Sequence, residues 1–202
     1  MKYLDFAEQF KNFNAISFQD VKNAFGAVNY AQLTGWKKKG LLKYAKRGFF
    51  ILPNSKIDLH ILANELNYSY ISMEYALSHY QIIPDIAQTI TSISKNRNEK
   101  IHNEFGSFIY QKITKGLFVD YELFESKKEN RLFRMATPEK ALFDLIYLRS
   151  DLSEPKDFES LRLTLQKDFK ISKLKKFTAL VKAARIKNRL NSLTSYLYDR
   201  VK

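Results

Sequence analysis

Carboxylates and a lysine in the middle of the chain are the residues whose types best suit catalysis. Asp120 precedes Glu125 by five positions, and Lys127 follows closely. Such a set can hold a divalent metal and assist phosphodiester hydrolysis. However, Asp120 and Glu125 fall on one predicted strand, and Glu125 and Lys127 border a predicted turn that is rich in other charges. The pattern therefore favours a solvated hairpin, and a metal-dependent nuclease is the less favoured alternative.

Other classes of catalytic or metal-binding residue lack partners at a useful spacing. His60, His79 and His102 are far apart, and none has a second His or a Cys at the spacing of a metal site. There is no glycine-rich phosphate loop and no nucleophile elbow. Glu139 and Asp144 lie on one predicted helix, where Glu139 suits the helix N-terminus electrostatically. We therefore expect no enzymatic activity, no metal and no cofactor.

Basic and polar side chains within residues 17–53 fit a different chemistry, the binding of duplex DNA. A helix over residues 29–39 with Leu33 at the centre of its buried face exposes Ala, Gln, Thr, Gly and Lys on the opposite face. Small residues allow close approach to a groove, and amide, hydroxyl and ammonium donors suit base edges and phosphates. The candidate DNA-binding residues on this helix are Gln32, Thr34, Lys38 and Lys39.

A basic hairpin is predicted directly after this helix. Residues 42–45 and 49–52 are strand-like, and Gly48 suits the positive φ of the turn between them. Positive side chains on such a hairpin can lie beside backbone phosphates, and one at its tip can reach the minor groove. The candidate DNA-binding residues of the hairpin are Lys43, Lys46 and, at the tip, Arg47.

Local signals predict the elements that position this helix and hairpin. A first helix over residues 3–13 is followed by an N-cap at Ser17, with Asp20 placed as in a capping box. Asn29 and Gly40 suit the start and the end of the third helix. Helices followed by a basic hairpin predict a winged helix-turn-helix. The second helix of the helix-turn-helix enters the DNA major groove.

The rest of the chain predicts mixed strands and helices. The predicted strands cover residues 86–94, 105–113, 116–125 and 131–135, and the predicted helices cover residues 57–66, 70–80 and a stretch capped by Thr137. From residue 157 onward the pattern is almost entirely helical, with Ser172 as a further N-cap. We therefore expect an α+β protein with a winged helix-turn-helix over residues 1–55 and a mixed α/β domain over residues 56–202.

The net charge of +13 over 202 residues is concentrated at the two ends of the chain. Residues 1–55 carry nine Lys/Arg against three Asp/Glu, residues 56–150 twelve against twelve, and residues 151–202 thirteen against six. Basic surfaces favour polyanions through counterion release. The helical segment 151–202 is therefore a second surface for nucleic acid, a contact for an acidic partner, or a solvated helical surface.

Cysteine usage and hydropathy indicate the compartment. The chain contains no cysteine, which excludes structural disulfides and thiolate zinc sites. Its first ten residues carry acids where a signal peptide needs an apolar core. No apolar run approaches the roughly 20 residues that span a bilayer. We therefore expect a cytoplasmic protein that does not associate with membranes.

Three segments together resemble one protein family. They are the hairpin turn Arg47-Gly48-Phe49-Phe50, the stretch YISMEYAL at residues 70–77 with Ile-Pro at 83–84, and the stretch ATPEKALFDL at residues 136–145. This combination resembles the AbiEi antitoxin family of bacterial abortive-infection toxin–antitoxin systems, over roughly residues 5–150. The second and third segments are more diagnostic than the hairpin, because winged helices serve many regulators.

The resemblance implies a function for each domain. The N-terminal domain would bind inverted repeats in its own promoter and repress the operon, and the C-terminal domain would counter a nucleotidyltransferase toxin in a type IV system that confers phage resistance. Antitoxin and toxin of such systems are not expected to form a stable complex. We expect a monomer or weak dimer, with two copies on the operator. The alternative is a winged-helix transcription factor whose second domain senses a ligand or dimerises.

Overall fold

The computed structural model describes residues 1–128 and 131–201, and within them the fold is mixed α+β. The strands of the described residues form two sheets, and most helices of the second half pack beside one another. The predicted turn over residues 127–130 lies partly outside the described residues.

The first 51 residues form three helices and a small antiparallel sheet of order β1-β3-β2. The elements are α1 (Tyr3–Gln9), β1 (Ile16–Ser17), α2 (Phe18–Phe25), α3 (Tyr30–Lys38), β2 (Lys43–Lys46) and β3 (Phe49–Ile51). The first helix is shorter than predicted. Phe10 turns inward and is buried while Phe13 is 39% exposed, since the chain leaves the helix to enter β1.

Capping groups fix the bounds of α2 and α3. Ser17 and Asp20 form the predicted capping box at the start of α2. The side chain of Asn29 accepts a hydrogen bond from the Ala31 amide, so it caps α3 as predicted. Gly40 follows α3 with φ of 73° and completes a Schellman ending, in which the Leu41 amide donates to the Trp36 carbonyl.

A larger sheet of order β6-β7-β5-β4-β9-β8 occupies the rest of the chain together with six helices of the described region. The strands β4 to β9 are Ser69–Ile71, Ile90–Ser94, Glu99–Asn103, Gly106–Lys112, Tyr121–Glu125 and Leu132–Ala136. The helices α4 to α9 are Leu59–Leu66, Met73–His79, Pro138–Leu148, Pro155–Ser160, Ile171–Ala179 and Ala184–Val201. β4 pairs with β9 and β5 pairs with β7 in parallel, and the other neighbours are antiparallel.

Several boundaries of this region differ from the sequence prediction, among them the starts of α4 at Leu59 and of β5 at Ile90. The helix predicted from residue 70 begins only at Met73, because residues 69–71 are buried and pair as β4. The strand predicted from residue 116 begins at Tyr121, after a 3-10 helix over Lys115–Leu117. Ser172 lies inside α8 and does not cap it.

Two clusters of buried hydrophobic side chains are present in the described residues. The smaller one consists of Phe6, Phe10, Ile16, Val21, Leu33, Leu42, Phe50 and Leu52, and it belongs entirely to the first helices and the small sheet. The larger one contains residues of the second sheet and of its helices, together with Ala15, Ala45 and Ile51. The first 55 residues therefore have a core of their own and also pack against the rest of the chain. A domain boundary at residue 55 stays a prediction.

None of the helices within residues 1–128 and 131–201 combines the length and the apolar character that are needed to cross a bilayer.

Candidate nucleic-acid interface

Helix α3 is held by one face, which leaves the opposite face exposed. Leu33 is fully buried in the smaller cluster. The ring of Tyr30 packs edge-on against Phe18, with 5.1 Å between ring centroids. Trp36 contacts Tyr3 in the same way, at 5.3 Å. These contacts fix the rotation of α3 about its axis, because side chains three residues apart share one side of a helix.

The last turn of α3 carries two exposed lysines on its outer side. Lys38 and Lys39 are exposed, and neither ammonium group has a hydrogen-bond or ion-pair partner within residues 1–128 and 131–201. Lys37 takes a different direction, since its Nζ lies 4.6 Å from the centroid of the Tyr44 ring. The ammonium groups of Lys38 and Lys39 are therefore free to meet an external anion.

The two neutral candidates on α3 have partners within the chain. Gln32 Nε2 donates a hydrogen bond to the Met1 carbonyl at 2.8 Å, and Thr34 Oγ1 donates to the Ala31 carbonyl at 2.9 Å. Both side chains are partly exposed. The Thr34 hydroxyl has one hydrogen, so it would have to give up the Ala31 carbonyl to donate to a base edge, whereas the Gln32 amide keeps a second hydrogen for such a contact. Both side chains retain oxygen acceptors that need no exchange of partner.

The β2–β3 hairpin presents Arg47 at its tip. Gly48 follows it with φ of 82°, the positive φ predicted for this turn. The Gly48 carbonyl accepts a hydrogen bond from the Phe18 amide at 2.8 Å, and the Gly48 amide donates to the Tyr30 hydroxyl at 3.3 Å. The hairpin tip is thus tied to the starts of α2 and α3. Arg47 is exposed, with no ion-pair partner in the described part of the chain.

The other two hairpin cations are paired with acids of the larger sheet. Lys46 Nζ lies 3.0 Å from Glu99 Oε2, and both side chains are only 17% exposed. Lys43 Nζ lies 2.9 Å from Glu104 Oε2 in a more exposed pair. The predicted set therefore divides by availability: Lys38, Lys39 and Arg47 are open to solvent, whereas Lys43 and Lys46 already have counter-charges.

The carboxylates considered for a nuclease lie at different places on and beside strand β8. Asp120 accepts a hydrogen bond from Thr137 Oγ1 at 2.6 Å, just before the start of α6. Glu125 ends β8, and Lys127 follows it. Among residues 1–128 and 131–201, no group of three or more His, Asp or Glu side chains has an arrangement that could hold a metal ion.

Sequence reasoning missed a polar cluster inside the larger core. Lys140 and Asp144 form an ion pair one turn apart on α6, and both side chains are completely buried. Asp144 Oδ2 also accepts hydrogen bonds from Tyr70 Oη at 2.9 Å and Ser72 Oγ at 2.8 Å. Burial raises the pKa of Asp144 and lowers that of Lys140, and their mutual attraction opposes both shifts.

A signal for this cluster was present in the sequence. The residues between and after the pair, Ala141, Leu142, Phe143, Leu145 and Ile146, are apolar on every side of the helix. A helix that is apolar all round is buried, so polar residues within it need partners. Ser72 lies at the N-cap position of α5, but its hydroxyl donates to Asp144 and does not cap the helix.

Comparison with models of protein families gives no match for this chain. No curated protein matches it significantly either.

Proposed function

We propose that residues 1–55 form a winged helix-turn-helix that binds duplex DNA, with α3 in the major groove and the β2–β3 hairpin against the neighbouring backbone. The observation that carries this proposal is the outer face of α3, where Lys38 and Lys39 are exposed and unpaired in the described part of the chain. Recognition helices of this class bind DNA through the side chains that they present to base edges and phosphates.

The order of the elements supports the same proposal. Three helices precede a two-stranded hairpin whose tip carries Arg47. An arginine at such a tip suits the minor groove, where the negative potential is enhanced when the groove is narrow. The excess of Lys/Arg over Asp/Glu in residues 1–55 adds a sequence-independent attraction to phosphates.

We further propose that the chain is an antitoxin that represses its own operon and counters a nucleotidyltransferase toxin. This proposal depends on the resemblance of residues 70–77 and 136–145 to the AbiEi family. Contacts between those two stretches support their treatment as one functional unit, because Tyr70 and Ser72 both donate to Asp144 across the core. The toxin would be countered through residues 56–202, without a stable complex between the two proteins.

The experiment combines DNA binding with toxin rescue in one pair of variants. The duplex would be selected from a random pool with the full chain, and its affinity measured for the wild type and for Lys38→Ala/Arg47→Ala. We expect the double variant to lose DNA affinity about 10- to 100-fold. In cells that express a nucleotidyltransferase toxin, the wild type should rescue growth, and the same variant should still do so.

Two results would contradict these proposals separately. Full affinity of the double variant for the selected duplex would remove α3 and the hairpin tip as the DNA-binding surface. Failure of the wild type to rescue growth would remove the antitoxin proposal and leave a winged-helix transcription factor.

A further inference from the structure

We propose that Glu99 and Glu104 hold the β2–β3 hairpin through its lysines, so that these carboxylates compete with DNA phosphates for Lys43 and Lys46. The inference rests on the proposed DNA-binding function and adds a restraint on it that is built into the fold. Lys43 and Lys46 would join the DNA contact only when their carboxylate partners are given up.

Strand β2 is docked on the edge strand β6 of the larger sheet by its backbone as well as its charges. The pairing between β2 and β3 is irregular between Tyr44 and Lys46, which places Ala45 in a bulge. The Ala45 carbonyl accepts a hydrogen bond from Asn103 Nδ2 at 2.8 Å, and the Ala45 side chain is buried in the larger cluster. The bulge therefore directs β2 towards the second sheet.

Two ion pairs flank this backbone contact. Lys46 and Glu99 meet on one side of Ala45, and Lys43 and Glu104 meet on the other. Glu99 is further oriented by a hydrogen bond from Asn67 Nδ2 at 3.3 Å. The carboxylates that pair with the two lysines thus belong to strand β6 and the turn after it, and not to the hairpin.

The two pairs differ in how strongly they restrain the hairpin. At 17% exposure for both side chains, Lys46 and Glu99 are poorly screened by solvent. Lys43 and Glu104 have side chains that are 40% and 51% exposed, and an exposed pair of this kind is weak. Phosphates would therefore displace Glu104 more readily than Glu99.

The competition predicts a gain of affinity when the acids are neutralised. In the full-length variant Glu99→Gln/Glu104→Gln, both lysines lose their counter-charges and can contact phosphates. We expect tighter binding of the selected duplex, by about 3- to 10-fold at 0.15 M salt. We also expect log Kobs to fall more steeply with log salt, by up to about 2 units of slope, since each new phosphate contact adds roughly 0.9.

A matched control separates this effect from added charge alone. Asp85→Asn/Glu159→Gln likewise removes two negative charges, both from exposed side chains, and Asp85 pairs with Arg162 away from the hairpin lysines. Adding Lys43→Gln/Lys46→Gln to the Glu variant should abolish the gain, as a double-mutant cycle requires for coupled groups. Glu104→Gln alone, at an exposed position, tests the idea if loss of Glu99 impairs folding.

The outcomes distinguish this inference from the proposed function. Tighter binding that depends on Lys43 and Lys46 supports the competition. If the wild type binds duplex DNA but the Glu variant gains no more than the control, or binds less tightly, the competition is wrong while DNA binding stands. If no variant, the wild type included, binds duplex DNA, the proposed function itself fails.

Discussion

A single buried charge pair explains the positions of several polar side chains in the core. Lys140 and Asp144 are completely buried, which costs the solvation of two charges. The cost is offset by their mutual attraction and by the hydroxyl groups of Tyr70 and Ser72, which donate to Asp144. Burial and the neighbouring Asp144 raise the pKa of Tyr70 well above its usual range, so this phenol remains a donor.

Removal of Lys140 should reveal the free-energy cost of burying the charge of Asp144 without its partner. We expect Lys140→Met to destabilise the protein by about 3 kcal/mol at neutral pH, because Asp144 is left as a buried charge without its cation. Lys140→Met/Asp144→Asn should recover at least about 1 kcal/mol, since an asparagine oxygen can still accept from Tyr70 or Ser72. Urea unfolding of the two variants measures both changes. Equal stability of the wild type and Lys140→Met would contradict this description of the pair.

Three helix caps were predicted correctly from local sequence. Ser17, Asn29 and Thr137 each accept a backbone amide hydrogen bond at the start of a helix, as predicted. The rule works because the donor and acceptor of a cap lie within three residues of each other. Helix α4 has the same kind of cap at Asp58, and it begins at Leu59, two residues after its predicted start.

Asp58 links the start of α4 to two neighbouring side chains. Its carboxylate accepts from the His60 amide at 2.7 Å and lies 3.0 Å from His60 Nδ1, while Ser126 Oγ donates to its other oxygen. Burial alone would raise the pKa of Asp58, but the hydrogen bonds from Ser126 and His60 outweigh it and hold the pKa of this carboxyl below its usual value. This carboxylate therefore stabilises the folded state in its charged form.

The pKa of Asp58 sets the direction of a pH effect. Because it is lower in the folded state, the stabilisation is fully present above about pH 4 and is lost as the pH falls through the folded-state value. Asn caps helices as well as Asp does, so Asp58→Asn removes the charge but keeps the cap. We expect this variant to be less stable than the wild type at pH 7, and the difference to shrink at pH 3. Urea unfolding at both pH values measures the difference in free energy of unfolding between the wild type and the variant. The same difference at pH 7 and pH 3 would contradict this role of the Asp58 charge.

Strands that depend on distant partners were the elements that local sequence predicted least well. Strand β6 has the sequence Glu-Lys-Ile-His-Asn, in which only Ile101 is buried. Polar and charged residues of this kind have little strand preference of their own. The strand exists because β7 supplies a full set of antiparallel partners. No local pattern in residues 99–103 reports on that pairing.

At the scale of the whole molecule, the fold class was predictable and the charge pairing was not. Alternation and helical periodicity indicated an α+β protein, which is confirmed. The pairing of Lys46 with Glu99 joins residues 53 positions apart, so it depends on how the small sheet packs against the large one. For the candidate DNA-binding residues, the sequence predicted the exposure of Lys38, Lys39 and Arg47, but it could not reveal that Lys43 and Lys46 are held by acids.

The most direct test of the central claim is the affinity of the full chain for its selected duplex, measured by fluorescence anisotropy over a range of salt concentrations. The test variant is Lys38→Ala/Lys39→Ala/Arg47→Ala. The control is Lys11→Ala/Lys156→Ala/Arg162→Ala, which removes three cations that pair with nearby acids elsewhere. We predict that the test variant binds at least about 100-fold more weakly and that its salt slope is smaller by about 2 to 3 units, while the control changes little. An equal loss of affinity in both variants would contradict the assignment of α3 and the hairpin tip as the surface that binds DNA.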